Sequence, residues 1–154
     1  SLRLEALDSA NSTQFEAAGT LEDLLNDHGL PMRRQAVRVV ISDFLFPHQP
    51  DRLIRRLAGE ASVLWPVQVL TQWEQNPDQA GGTRLVDAET GMETDLYLND
   101  KVIAEYRAKL LALQEELALH CRRHHATFAT VIADRGLASA CREELSHAGI
   151  LRAT

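Results

Sequence analysis

Ala36-Val37-Arg38-Val39-Val40-Ile41-Ser42-Asp43-Phe44 is the stretch around which the chain is organised. Five of its first six residues are apolar and three are Val. An unbroken run of branched apolar residues suits a strand covered on both faces, as in the middle of a parallel sheet. The run stops on Ser42 and Asp43. A carboxylate at the carboxyl end of such a strand stands at the rim where open α/β sheets place their ligands. Asp43 is therefore the first candidate site residue.

Upstream, residues 1–19 are weakly patterned and read as an arm. From Thr20 the signal sharpens. Thr20 with Asp23 three residues later makes a capping-box-like start, Leu21, Leu24 and Leu25 form a stripe, and Gly29 closes. This predicts a short helix over 21–28. Downstream, Pro50 is a good first helical residue, and Leu53, Ile54, Leu57 and Ala58 follow at helical spacing before Gly59. Arg52, Arg55 and Arg56 fall on the outer face. Residues 62–71 read as the next strand, with Pro66 inside it implying a bulge or an edge position. Residues 83–87 and 93–97 alternate on either side of Ala88-Glu89-Thr90-Gly91, a hairpin signal. Asn99 caps a long helix over 100–124, with Ile103, Tyr106, Leu110, Leu113 and Leu117 as its inward stripe. A strand over 127–133 and a helix over 137–147 follow. That last helix is expected to turn Leu137, Ala138, Cys141 and Leu145 inward, and residues 150–154 to add a short strand.

The order predicts an α/β fold: a three-layer, mostly parallel sheet with helices on both faces, plus an inserted β-hairpin. The expected organisation is the arm over 1–19 and a single domain over 20–154.

With 154 residues the chain suffices for one domain with a sizeable core. Its net charge of -6 argues against a nucleic-acid or anionic-membrane surface. The sequence shows no apolar run near the ~20 residues of a spanning helix. Cys121 and Cys141 lie in helical patterns and read as reduced thiols, so the expected location is the cytoplasm.

Three stretches now bear together: residues 38–44, Val67-Gln68-Val69-Leu70-Thr71-Gln72-Trp73-Glu74, and Gly82-Thr83-Arg84-Leu85-Val86-Asp87-Ala88-Glu89-Thr90-Gly91, followed by the helix carrying Tyr106. The succession, over roughly residues 33–151, resembles the carboxyl-terminal half of the bacterial family called domain of unknown function fifty-eight, whose members contain a von Willebrand factor A-like domain. The resemblance implies a doubly wound, Rossmann-like sheet with a metal-ion-dependent adhesion-type site on its carboxyl edge. Such a site takes an Asp-x-Ser-x-Ser loop, a Thr from a second loop and an Asp from a third. Only the third has a match, Asp43. Asp8-Ser9-Ala10-Asn11-Ser12 places Ala10 where the first loop needs Ser. The chain, which begins at Ser1 rather than Met, is therefore expected to carry the second half of that domain. No cofactor is expected in this piece, and Mg²⁺ in the intact domain. The resemblance also implies work beside a MoxR-type AAA+ ATPase in a chaperone-like role. If the central strand has lost its usual neighbour, an exposed apolar strand invites a homodimer.

Other groupings have plainer readings. Asp87, Glu89 and Glu93 cluster around the hairpin, where turn chemistry explains them as well as cation binding does. His120 with His124, and Cys121 with His125, share helix faces at zinc-like spacing, but the pattern supplies no further ligand. Trp65, Trp73, Phe44 and Phe46 are core or partner surface. The leading expectation is a protein-interaction module rather than an enzyme. The rival is a divalent-metal hydrolase using Asp43, Asp87 and Glu89.

Overall fold

The computed structural model describes residues 32–77, 81–86 and 93–151, with the backbone alone over 81–86 and 93–97. The chain divides into Ser1–Pro31 and Met32–Thr154, and all described residues lie in the second unit. The arm over 1–19, the helix over 21–28 and the turn over 88–91 lie outside the described residues, as do Asp87 and Glu89.

The elements are β1 (Val37–Ser42), α1 (Pro50–Ala58), β2 (Val63–Leu70), α2 (Gln72–Gln75), β3 (Gly81–Val86), β4 (Glu93–Leu98), α3 (Asp100–Arg123) and β5 (Ala129–Ile132). A 3₁₀ turn (Ala133–Arg135), α4 (Leu137–Ala140) and a π-helical turn (Cys141–Leu145) complete the set. β1, β2 and β5 form a three-stranded sheet in the order β1-β2-β5, parallel throughout. β3 and β4 form a separate antiparallel pair, with Val86 opposite Glu93.

Two successive crossovers step across this sheet in one direction. Right-handed connections of that kind put their helices on the same face. α1 and α3 accordingly pack against each other. On that face Leu70, Leu110 and Ile132 form a buried cluster with Tyr106 against it. α1 buries Leu53, Ile54 and Leu57, as its spacing predicts, and Pro50 occupies its first turn. α3 starts where Asn99 Oδ1 accepts from the Val102 amide at 3.0 Å. Its buried stripe is Ile103, Leu110, Leu117 and, one turn further, Cys121.

The opposite face carries the carboxyl-terminal segment. Ala140 packs on Val67 and Val131, with Val69, Leu145 and Ile150 around them. The inward set differs from the helical expectation, because Leu137 is 79% exposed. The π-helical turn inserts extra backbone, so the face that begins at Ala140 continues at Leu145. Residues 150 and 151 add no strand. Their amides bond to the Leu145 carbonyl at 2.9 and 3.1 Å and close the turn.

Two further expectations are corrected. β1 is not covered on both faces: Val37, Val39 and Ile41 are 55%, 52% and 69% exposed, while Arg38, Val40 and Ser42 are half-buried. Among the described residues β1 pairs with β2 alone, at the end of the strand order. β2, which contains Pro66, is instead the central strand, and its register with β1 runs unbroken from Val63 to Gln68. Proline is tolerated there because pairing with β5 starts one residue later, at Val67 opposite Ala129.

Candidate functional site

Because the three sheet strands are parallel, their carboxyl ends share one rim. Three loops meet there: Asp43 to Gln49 after β1, Thr71 onward after β2, and Ala133 to Gly136 after β5. Asp43 is exposed at this rim, as its place in the sequence predicts.

The turn that carries it is unusual. Phe44 has φ +56°, a left-handed backbone that bulky residues rarely adopt. Such a conformation costs on the order of 1–2 kcal/mol and persists only where its surroundings over-determine it. Here they do. The Phe44 ring is 0% exposed. The Phe44 amide donates to Ser42 Oγ at 3.1 Å, and the Leu45 amide donates to Asp43 Oδ1 at 3.0 Å. From below, Gln68 Nε2 donates to the Asp43 carbonyl at 2.8 Å.

Gln68 is the feature that sequence reasoning missed. It is the one buried polar or charged side chain among the described residues, at 0% exposure, in the middle of β2. Its Oε1 accepts from Gln114 Nε2 at 3.0 Å and from Thr130 Oγ1 at 3.2 Å. Gln114 also donates to Gln75 Oε1 at 3.2 Å. One amide thus joins the β1 loop, β5 and α3, and reaches α2 through Gln114. The signal was present as a lone amide inside Val63-Leu64-Trp65-Pro66-Val67-Gln68-Val69-Leu70, since a buried polar group must find partners.

The remaining rim contacts are equally specific. Thr71 and Glu74 form a reciprocal capping box at α2. Asp134 Oδ2 accepts from the Gln72 amide, tying the β5 loop to the β2 loop. Tyr106 Oη donates to the Glu74 carbonyl at 2.8 Å. Burial and then the Glu74 charge push the Tyr106 phenol above its ordinary pKa, so it remains a donor.

Beside Asp43, the β1 loop and α3 enclose a cleft of about 330 Å³ lined by Phe44, Phe46, His48, Tyr106, Lys109 and Leu113. Phe46 and His48 stack with ring centroids 4.7 Å apart. Of the four aromatics singled out by sequence, Phe44 is core, while Phe46, Trp65 and Trp73 are half-buried.

Asp43 supplies one carboxylate, with Oδ1 already engaged. A hard divalent cation wants about six oxygens. Among the described residues no group of three or more His, Cys, Asp or Glu side chains converges on one point, so those residues do not by themselves fit a metal. The histidines of α3 do not converge either. His120 Nδ1 lies 3.2 Å from Asp51 Oδ1 on α1. Cys121 is buried, and burial pushes its thiol up to about 12, so it is held protonated at neutral pH. No helix among the described residues is long and apolar enough to cross a membrane.

A family model described as "Protein of unknown function DUF58" matches residues 6–116, more than half of the chain. The match begins upstream of the stretches that carry the resemblance and ends within α3. No curated protein and no solved structure matches the chain.

Proposed function

The chain belongs to DUF58, a family of proteins of unknown function, and from that premise we propose that it is a protein-interaction module of von Willebrand factor A-like type whose partner is a MoxR-type AAA+ ATPase. The docking surface is the carboxyl rim of the sheet. The observation that supports this reading is the over-determined turn at Phe44, which fixes Asp43 at the rim and leads into an apolar cleft lined by residues 44–48. Pre-organisation of this kind lowers the ordering cost of binding. The cleft that follows offers a partner's anchoring side chain an apolar pocket, where interface energy concentrates.

The test is biolayer interferometry of the 154-residue chain against a MoxR-type ATPase from the same genome. Saturable binding is expected, weakened at least tenfold by Asp43→Ala with the melting temperature unchanged. Absence of binding, or equal affinity for the variant, would overturn the proposal.

A further inference from the structure

We propose that the cleft between the β1 loop and α3 takes an aromatic side chain with a carboxylate beside it, so that the segment of the partner protein seated there carries an aromatic–acidic pair. The inference rests on the reading of the rim as a protein-docking surface and adds the chemistry of what docks.

Residues 44–48 form one wall of the cleft. The other wall is Tyr106, Lys109, Leu110 and Leu113 of α3. These four are spaced i, i+3, i+4 and i+7, a single stripe of the helix. Such a stripe calls for apolar residues, and Lys109 is the exception. Lys109 is exposed. A lysine set on an apolar stripe lays its methylenes along the wall and keeps its ammonium in water.

The other polar side chains of the lining are engaged or covered. Tyr106 Oη donates to the Glu74 carbonyl at 2.8 Å. His48 Nδ1 lies 2.7 Å from the Phe46 carbonyl, and His48 Nε2 is buried. Lys109 has no carboxylate partner among the described residues, and Glu105, one turn before it, pairs with Lys101 at 4.0 Å. An unpaired cation on an otherwise apolar wall is complementary to an apolar body that carries an anion.

The body that fits is a ring. The His48 ring stands 4.7 Å from Phe46 and 6.3 Å from Phe44, centroid to centroid. Aromatic pairs gain energy beyond the area they bury. The cleft, at about 330 Å³, is roughly twice the ~150 Å³ apolar cavity that holds a benzene ring. It therefore admits a ring together with the atoms that join it to a backbone.

The test is amide NMR titration of the labelled 154-residue chain with acetyl-Gly-Phe-Glu-Gly-amide and with its Phe-Gln, Phe-Lys and Ala-Glu forms. The Phe-Glu peptide is expected to shift residues 44–48 and 106–113. The Ala-Glu form should bind about tenfold more weakly or worse, having lost the buried ring. The Phe-Gln form should bind about two- to fivefold more weakly, the worth of a partly exposed ion pair, and the Phe-Lys form more weakly still. Lys109→Glu should reverse the order of Phe-Glu and Phe-Lys, and Lys109→Met should make Phe-Glu and Phe-Gln equal. Equal affinity of the native chain for Phe-Glu and Phe-Gln, an order unchanged by Lys109→Glu, or no shifts at these residues with about 10 mM peptide would overturn the proposal. Free 3-phenylpropionate binding as tightly as the peptide would overturn it too, by making the cleft a small-molecule site. These titrations contain no ATPase. Saturable binding of the ATPase without a peptide preference removes this inference alone, whereas a peptide preference without ATPase binding removes the choice of partner and leaves the chemistry of the cleft standing.

Discussion

Replacing Gln68 with Leu removes the node of the rim while keeping an apolar side chain of similar size. The substitution deletes the bonds to the Asp43 carbonyl, Gln114 and Thr130. Each is worth about 1 kcal/mol net, and a partner left buried and unpaired costs about 1–3 kcal/mol. Gln114 keeps its bond to Gln75, so its loss is the smallest. The Asp43 carbonyl and Thr130 Oγ1 have no such recourse. Burial of the Leu side chain returns on the order of 1–2 kcal/mol. The expected net cost is about 2–3 kcal/mol. In urea, with a slope of roughly 2 kcal/mol per molar for a domain of this size, the midpoint should fall by about 1–1.5 M. Thr130→Val alone should cost about 1 kcal/mol. The double variant should be less destabilised than the sum of the singles by about 1 kcal/mol, because both remove the same bond. A Gln68→Leu variant within about 0.5 kcal/mol of the native chain, or a strictly additive cycle, would refute the account of the rim.

Five further outcomes are expected. Phe44→Gly should be more stable than Phe44→Ala by about 1 kcal/mol in the same urea assay, because both lose the buried ring but only glycine releases the strain of φ +56°. Arg38 donates to the carbonyls of Leu57 and Gly59 at the end of α1 at 2.5 and 2.6 Å, so Arg38→Met should lower thermal stability by about 1–3 kcal/mol. Ellman's reagent at pH 8 should label Cys141 in the folded chain and reach Cys121 only on unfolding. The Cys121 thiol, raised from 9.0 to about 12, favours the folded chain below its unfolded pKa, and that stability is lost as pH rises through the window between them; Cys121→Ala should flatten this alkaline loss in pH-dependent melting. Millimolar Mg²⁺ or Mn²⁺ should leave the melting temperature unchanged, whereas a rise that Asp43→Ala abolishes would favour the hydrolase reading.

Much of the fold was legible because its signals are local. The α1 and α3 stripes, the Pro50 start and the Asn99 cap each lie within one element, and the two runs that pair as β3 and β4 alternate within themselves. Asp43 was legible as a strand-end carboxylate. What escaped depends on neighbours. A Val-rich run reads as buried, yet whether β1 is central or an edge is decided by which strands flank it. Pro66 reads as an edge signal, and only the late start of β5 pairing makes it harmless in a central strand. The inward set of the last helix was misplaced because a π-helical turn leaves no periodic trace. Gln68 was passed over because a single amide in a strand has no pattern of its own, although burial gives it the widest reach at the rim.

The most direct test of the rim as a docking surface is an amide NMR map of the labelled chain on addition of the MoxR-type ATPase. Shift changes and line broadening should concentrate at residues 43–48, 71–75 and 133–136. Perturbations gathered instead at the opposite end of the strands, around Ala36, Ser62 and Thr127, would contradict the account.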